Sequence, residues 1–323
     1  MLCAAAEGEI GRAQRERILH DHHETLEPNL INDALQNQTI GLNSNGSAVV
    51  RAQILLNRAH FSCGQIDGEF GANLRKTVAA FQRNRNLPAE GTVGRATWDV
   101  LNADTAPALT TYTVAQEDVV GPFGIVPLDM MKQAKLKYLG YESPLDGLAE
   151  KFHSSKKLLQ ALNPGKDFGQ MREQILVPNV VTAPPGEASS VVVSKSDSSV
   201  TAYDANGKLL AYYRATIGSK HDPLPIGAWK ILGVARHPVF HYNAGLFWNA
   251  HHPKEKAEIA PGPRNPVGVV WIDLSKEHYG IHGTPDPSKI GYTLSHGCIR
   301  LTNWDAWELA AMVKPGTSAW LED

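Results

Sequence analysis

Near the C-terminus a thiol, two imidazoles and a guanidinium fall close together, in Ile281-His282-Gly283-Thr284 and then Ser295-His296-Gly297-Cys298-Ile299-Arg300-Leu301. A thiol attacks a carbonyl as thiolate. Its resting pKa of about 8.5 must be lowered by an adjacent imidazole or other positive group, so Cys with His is the smallest unit that can carry acyl transfer. Two imidazoles qualify. His296 stands two residues before Cys298, so on an extended strand both side chains share a face, and Gly297 between them lets a substrate carbonyl approach the backbone. His282 belongs to a separate strand and meets Cys298 only through the fold. Chemistry alone does not rank the two. The rival reading is a catalytic zinc on two His and one Cys, but the usual runs, His-Glu-x-x-His or paired Cys-x-x-Cys, are missing. A buried Cys with two core histidines does not explain why Gly, Ser, His and Arg crowd around one thiol. The expectation is a nucleophilic enzyme with no metal and no cofactor.

The rest of the chain has to position these groups. With 323 residues, 42% hydrophobic and 20% charged, two or three globular domains are expected. The balance of 31 basic against 33 acidic residues leaves a net charge of -2, which offers no field for gripping a nucleic acid or an anionic membrane. No apolar run is long enough to span a bilayer, and Met1-Leu2-Cys3-Ala4-Ala5-Ala6 lacks the basic and apolar regions of an export signal. Such a signal is expected to be absent or trimmed. Three cysteines, Cys3, Cys63 and Cys298, allow at most one intramolecular bridge. If Cys3 and Cys63 pair, Cys298 is left as the odd thiol that a cysteine enzyme in an oxidising compartment needs. The plainer reading of that pair is two buried small hydrophobes.

Four segments follow from the patterning. Residues 1–40 read as a helical packing extension, in which His20, His22 and His23 have no carboxylate or Cys at a metal-binding spacing. Residues 41–106 read as a small helical bundle: Gly46-Ser47 opens a helix with Val49, Val50, Ile54, Leu55 and Leu56, and a second places Leu74, Val78 and Phe81 at helical spacing. Residues 107–183 carry helices over 146–152 and 156–162, a closing strand over 174–178, and the stiff linker Thr182-Ala183-Pro184-Pro185-Gly186. Residues 184–323 hold β-prone runs at 191–194, 199–203, 209–217, 267–274 and 279–282, an Asn206-Gly207 hairpin turn, and a helix over 304–312. The fold class expected is multidomain α+β with a mainly antiparallel β C-terminal domain.

Three resemblances attach to these segments. His282, then thirteen residues, then His296-Gly297-Cys298 preceded by Ser295 resembles the signature of the L,D-transpeptidase family of the YkuD type. Matches continue at Ile217-Gly218, at Asp222-Pro223-Leu224-Pro225-Ile226-Gly227-Ala228-Trp229-Lys230-Ile231, at Asn265-Pro266-Val267-Gly268, at Leu301-Thr302-Asn303 and at Lys314-Pro315-Gly316-Thr317. Ile66-Asp67-Gly68, Phe70-Gly71, Phe81-Gln82, Leu87-Pro88 and Thr97-Trp98 resemble a three-helix peptidoglycan-binding domain, and Leu158, Leu159, Leu162, Asn163-Pro164 and 174–178 look like a degenerate LysM module.

The first resemblance implies Cys298 as nucleophile, His282 as its base, the Gly283 carbonyl as the group orienting that imidazole, and the N–H groups of Gly297 and Cys298 as an oxyanion hole. Ser295 and His296 would shape the pocket, and Arg300 would hold a substrate carboxylate, with a structural salt bridge as the alternative. The loop over 235–266, with Tyr242 and Trp248, would cover the cleft and read the acceptor, or pack as a lid. Implied substrates are peptidoglycan stem peptides and glycan, implied inhibitors covalent carbapenems, and the implied location the periplasm or cell envelope. An L,D-carboxypeptidase, another Cys-His peptidase and a non-catalytic wall-binding protein are the alternatives.

Overall fold

In the computed structural model, residues 26–180, 183–219, 221–246, 254–293 and 297–323 are described. The N-terminal helices pack as amphipathic elements do, apolar stripes inward. Helix α1 (Pro28–Asn32) buries Ile31 against Val50 and Ile54 of α2 (Ser47–Arg58). Helices α3 (Ala72–Asn84) and α4 (Arg95–Leu101) close a core around Phe61, Phe70, Phe81 and Trp98. Cys63 is buried in this core as a free thiol, and Cys3 and the histidine cluster at 20–23 lie outside the described residues. Between α2 and α3, the two-residue strand β1 (Phe61–Ser62) keeps Phe61 in the helical core while its backbone joins the C-terminal sheet.

The middle segment pairs β2 (Leu109–Thr113) antiparallel with β3 (Gln174–Pro178), enclosing the short helices α5 (Gln116–Val119) and α6 (Met130–Gln133) and the longer α7 (Pro144–Lys151) and α8 (Lys156–Leu162). Ser143 and Ser155 cap α7 and α8, accepting from the backbone N–H of Asp146 and Leu158. Both helices bury leucines against the strands, Leu148 and Leu159 with Val114, Ile175 and Val177.

The C-terminal segment contributes β4 (Ser190–Ser194), β5 (Ser199–Tyr203), β6 (Leu209–Arg214), β7 (Gly227–Arg236), β8 (Phe240–Asn243), β9 (Lys256–Ile259), β10 (Val270–Leu274), β11 (Gly280–His282), β12 (Ile299–Arg300), helix α9 (Asn303–Met312) and β13 (Ser318–Glu322). Among the described residues, one sheet runs in the order β1-β6-β5-β4-β13-β7-β10-β11-β12, and β8 and β9 form a separate hairpin. Most pairings are antiparallel, but β1–β6, β4–β13 and β11–β12 are parallel. Period-two alternation turns Val270, Ile272, Leu274, Ile281 and Ile299 into the core under α9. Their neighbours, Trp271, His282 and Arg300 among them, face the other way.

Neither upstream module is a loose appendage. Asn73 of α3 donates to the carbonyl of Ile290 (2.8 Å) and accepts from buried Arg214, while Ser62 donates to Asp305 at 2.9 Å. From the middle module, Leu139 and the 261–264 stretch exchange backbone hydrogen bonds of 3.0 Å, and His153 stacks on Trp304 with ring centroids 4.9 Å apart. The middle module is thus docked on the C-terminal domain.

Candidate active site

Parallel pairing of β11 with β12 sets Ile281 opposite Ile299 and His282 opposite Arg300. Directly paired residues of a parallel ladder point to one face, so the face opposite the core carries Gly280, His282, Cys298 and Arg300. Strand spacing and rise put the His282 and Cys298 Cα atoms about 8 Å apart on the diagonal, within reach of the two side chains. His282 is held from two sides. Its Nδ1 lies 2.7 Å from the Gly283 carbonyl, which can only accept, so Nδ1 carries the proton and the lone pair is at Nε2. The Trp271 indole, opposite His282 on β10, stacks on the ring with centroids 5.4 Å apart and planes 17° apart.

Electrostatics keep this pair neutral. Burial, reinforced by the Arg300 charge, pushes the His282 imidazole down to about 3. Burial likewise raises the Cys298 thiol, against lowering by the Gly280 backbone and the Arg300 charge. A thiol beside an uncharged imidazole transfers its proton as it attacks, rather than resting as an ion pair. Cys298 Sγ also lies 3.7 Å from the His278 carbonyl.

The glycines around the thiol are there for space and backbone angle. Gly297 has φ +99°, and a Cβ on it would sit 2.9 Å from the Tyr279 ring. A Cβ on Gly283 or Gly268 would run into Oδ1 of Asn303, whose side chain lies between them. Arg300 is anchored through its backbone, which exchanges two hydrogen bonds with Thr216 (2.9 and 3.0 Å), while its buried Nε has no partner among the described residues. Arg300, Thr216 and Thr284 line a cavity of about 900 Å³ together with Gln65 of the helical module and Met130, Glu142 and Lys156 of the middle one.

Of the residues singled out in sequence, His282, Gly283, Gly297, Cys298 and Arg300 converge here. Ser295, His296 and Trp248 lie outside the described residues. Tyr242 sits on the β8–β9 hairpin, opposite Ala257; it does not itself line the Arg300 cavity, but β9 packs against α6, which does. Its phenol is raised by burial, then by the nearby charges of Glu255 and Asp129. Trp271 was legible only as the outward position of an alternating strand, and Tyr279 gave no signal. Among the described residues, no group of three or more His, Cys, Asp or Glu could hold a metal ion.

The L,D-transpeptidase catalytic domain family matches residues 188–321, and the peptidoglycan-binding domain family matches 45–101. YkuD of Bacillus licheniformis, described as an L,D-transpeptidase, is 30% identical over 175 residues, covering 54% of this chain and 90% of that protein. YkuD of Bacillus subtilis is 30% identical over 173 residues, with the same coverage of 54% and 90%. Among solved structures, an L,D-transpeptidase from Xylanimonas cellulosilytica overlaps 88% of this chain and 98% of its own at 15% identity, with a TM-score of 0.36. The two Bacillus relatives, covered almost end to end, carry the assignment: this chain belongs to the L,D-transpeptidase family of the YkuD type.

Proposed function

We propose that Cys298 and His282 are the nucleophile and base of an L,D-transpeptidase acting on peptidoglycan stem peptides. The observation that carries this reading is the shared face of β11 and β12, with a neutral His282 whose Nδ1 is tied to the Gly283 carbonyl. Nε2 takes the Cys298 proton as Sγ bonds to the carbonyl carbon between the diamino acid's L-centre and D-alanine. The oxyanion is met by the N–H groups of Gly297 and Cys298. As the C–N bond breaks, the Nε2 proton passes to the leaving D-alanine amine and a thioester remains. The side-chain amine of a second stem then attacks, His282 takes its proton, and the thiol is restored with a 3→3 cross-link made.

Arg300 would hold a substrate carboxylate. Its buried Nε lacks a partner among the described residues, and a planar guanidinium fork suits that anion. Ser295 and His296 would shape the pocket; Tyr242, on the hairpin, and Trp248 would act in acceptor choice. The 45–101 match supports wall attachment through the helical module, and the pairing of β2 with β3 around α7 and α8 supports a LysM-like contribution to glycan binding. The work place that follows is the cell envelope; no helix among the described residues is long and apolar enough to cross a membrane.

A carbapenem should add its mass to the intact protein and not to Cys298→Ala. No adduct on active protein overturns the assignment. Mass analysis after incubation with tetrapeptide stems reads the acceptor: dimers for an amine, tripeptides for water, exchanged termini for a free D-amino acid.

A further inference from the structure

We propose that the middle module positions the catalytic base: Glu150 of α7, acting through the Asn303 side chain, fixes the Gly283 turn whose carbonyl orients His282. This rests on His282 being the base. The contacts run without a break. Asn303 is 2% exposed and opens α9. Its Nδ2 donates to Glu150 Oε1 at 2.9 Å and to the Pro263 carbonyl at 3.1 Å, and its Oδ1 accepts from the Val269 N–H at 3.2 Å. Two acceptors at one end and one donor at the other leave a single orientation for the amide. In that orientation Oδ1 lies against the Cα atoms of Gly268 and Gly283, with no room for a Cβ on either. The next link is the Gly283 carbonyl itself, 2.7 Å from His282 Nδ1.

Glu150 is the one member of this chain that comes from outside the catalytic segment. It is held in turn: Tyr141 donates to the same Oε1 at 3.1 Å, and Arg264 and Asp146 lie beside it, with Tyr138 near enough to feel its charge. Oε2 is buried with no partner among the described residues. That burial raises the carboxyl to about 7, so it changes charge near neutrality, and a carboxylate accepts from Asn303 more strongly than a neutral acid does. Glu150 is therefore a positioning residue. It also lines the Arg300 cavity, but the role assigned to it is to hold a turn in register, where displacements well below an ångström matter.

The test uses the full chain and the second-order rate of carbapenem acylation of Cys298 between pH 5 and 9. Glu150→Leu removes the acceptor and should slow acylation about tenfold or more while changing the shape of the pH profile. Glu150→Gln keeps an acceptor for Asn303 and should stay within about threefold, but lose any limb near neutrality that the carboxyl contributes. Should the Leu variant fail to fold, Glu150→Asp, one methylene short of Asn303, should lose rate in the same direction. Acylation by Glu150→Leu or Glu150→Asp within twofold of the parent, with a superimposable pH profile, overturns the inference. His282→Ala separates the two claims. Loss of acylation there with an unaffected Glu150 variant sinks only the positioning role, whereas retained acylation in His282→Ala sinks the base assignment and this inference with it.

Discussion

Asp146→Asn is the substitution that most directly probes how the middle module is held. Asp146 is 3% exposed and Arg264 14%, so their ion pair is shielded from solvent and salt. Arg264 grips the carboxylate with Nε at 3.1 Å and with Nη2, and reaches the Pro285 carbonyl with Nη1. Burial alone would depress the guanidinium; the Asp146 carboxylate, with Glu150 and Tyr141 adding to it, more than reverses this and holds it above its ordinary value. Removing the charge leaves Arg264 buried, one hydrogen bond away from a carbonyl and with no carboxylate facing it squarely. Breaking one side of such a pair costs about 3–5 kcal/mol. At about 2 °C per kcal/mol, the lower end for large domains, the midpoint should fall by about 6–10 °C in scanning calorimetry. The double variant Asp146→Asn/Arg264→Met removes both charges and should recover at least half of that loss, because the desolvation cost goes with the pair. A single variant melting within about 1 °C of the parent, or a double variant as low as the sum of the two singles, refutes the argument.

Three further outcomes follow from the site and its surroundings. Gly283→Ala should lower both stability and the acylation rate, because its Cβ collides with Asn303; overpacking of this kind costs about 1–3 kcal/mol, and unchanged urea unfolding would contradict it. His282 and His153 are both pushed by burial to about 3, so each binds fewer protons folded than unfolded: their contribution to stability is present above about 6.5 and is lost as pH falls toward 3. His153→Gln should flatten that acid limb in unfolding curves taken from pH 7 to pH 4. Asp305, beside Ser62, is pushed by burial up to about 8, which has the opposite sign: its contribution is present below about 4 and is lost as pH rises through 8, so Asp305→Asn should remove stability loss between those limits.

How much of this could be read beforehand depends on whether a feature is local. The hairpin at Asn206-Gly207, with Gly207 at φ +78°, and the alternation of Val270, Ile272 and Leu274 are written in a few adjacent residues, and both appear where the pattern predicts. The helices at Pro144–Lys151 and Lys156–Leu162 follow from serine caps and leucine spacing. The pairing of His282 with Arg300 is different, because no local rule tells two short strands so far apart that they lie side by side in parallel. Phe61-Ser62 is too short for any periodicity to register as a strand, yet it adds an edge to the C-terminal sheet. Asp146 and Glu150 read as the solvated side of an amphipathic helix until docking of the module buries them against Arg264 and Asn303. Even Gly283 and Gly268, quoted as motif positions, owe their identity to an asparagine brought in from the next helix.

The edge that Phe61 and Ser62 supply to β6 also settles a matter of reach. A catalytic head on a slack tether samples a sphere, and its odds of meeting a second site fall with tether length. Here the parallel pairing of those two residues with Tyr212 and Tyr213, with the Tyr212 N–H donating to the His60 carbonyl, makes the helical module part of the same slab as the thiol, so the interval from one to the other is a property of the fold, as the spacing of teeth is a property of a comb. On the proposed reading, a polymer held by the helical module would present only bonds at one set offset to Cys298, and lengthening the Pro184-Pro185 connection should leave that offset unchanged.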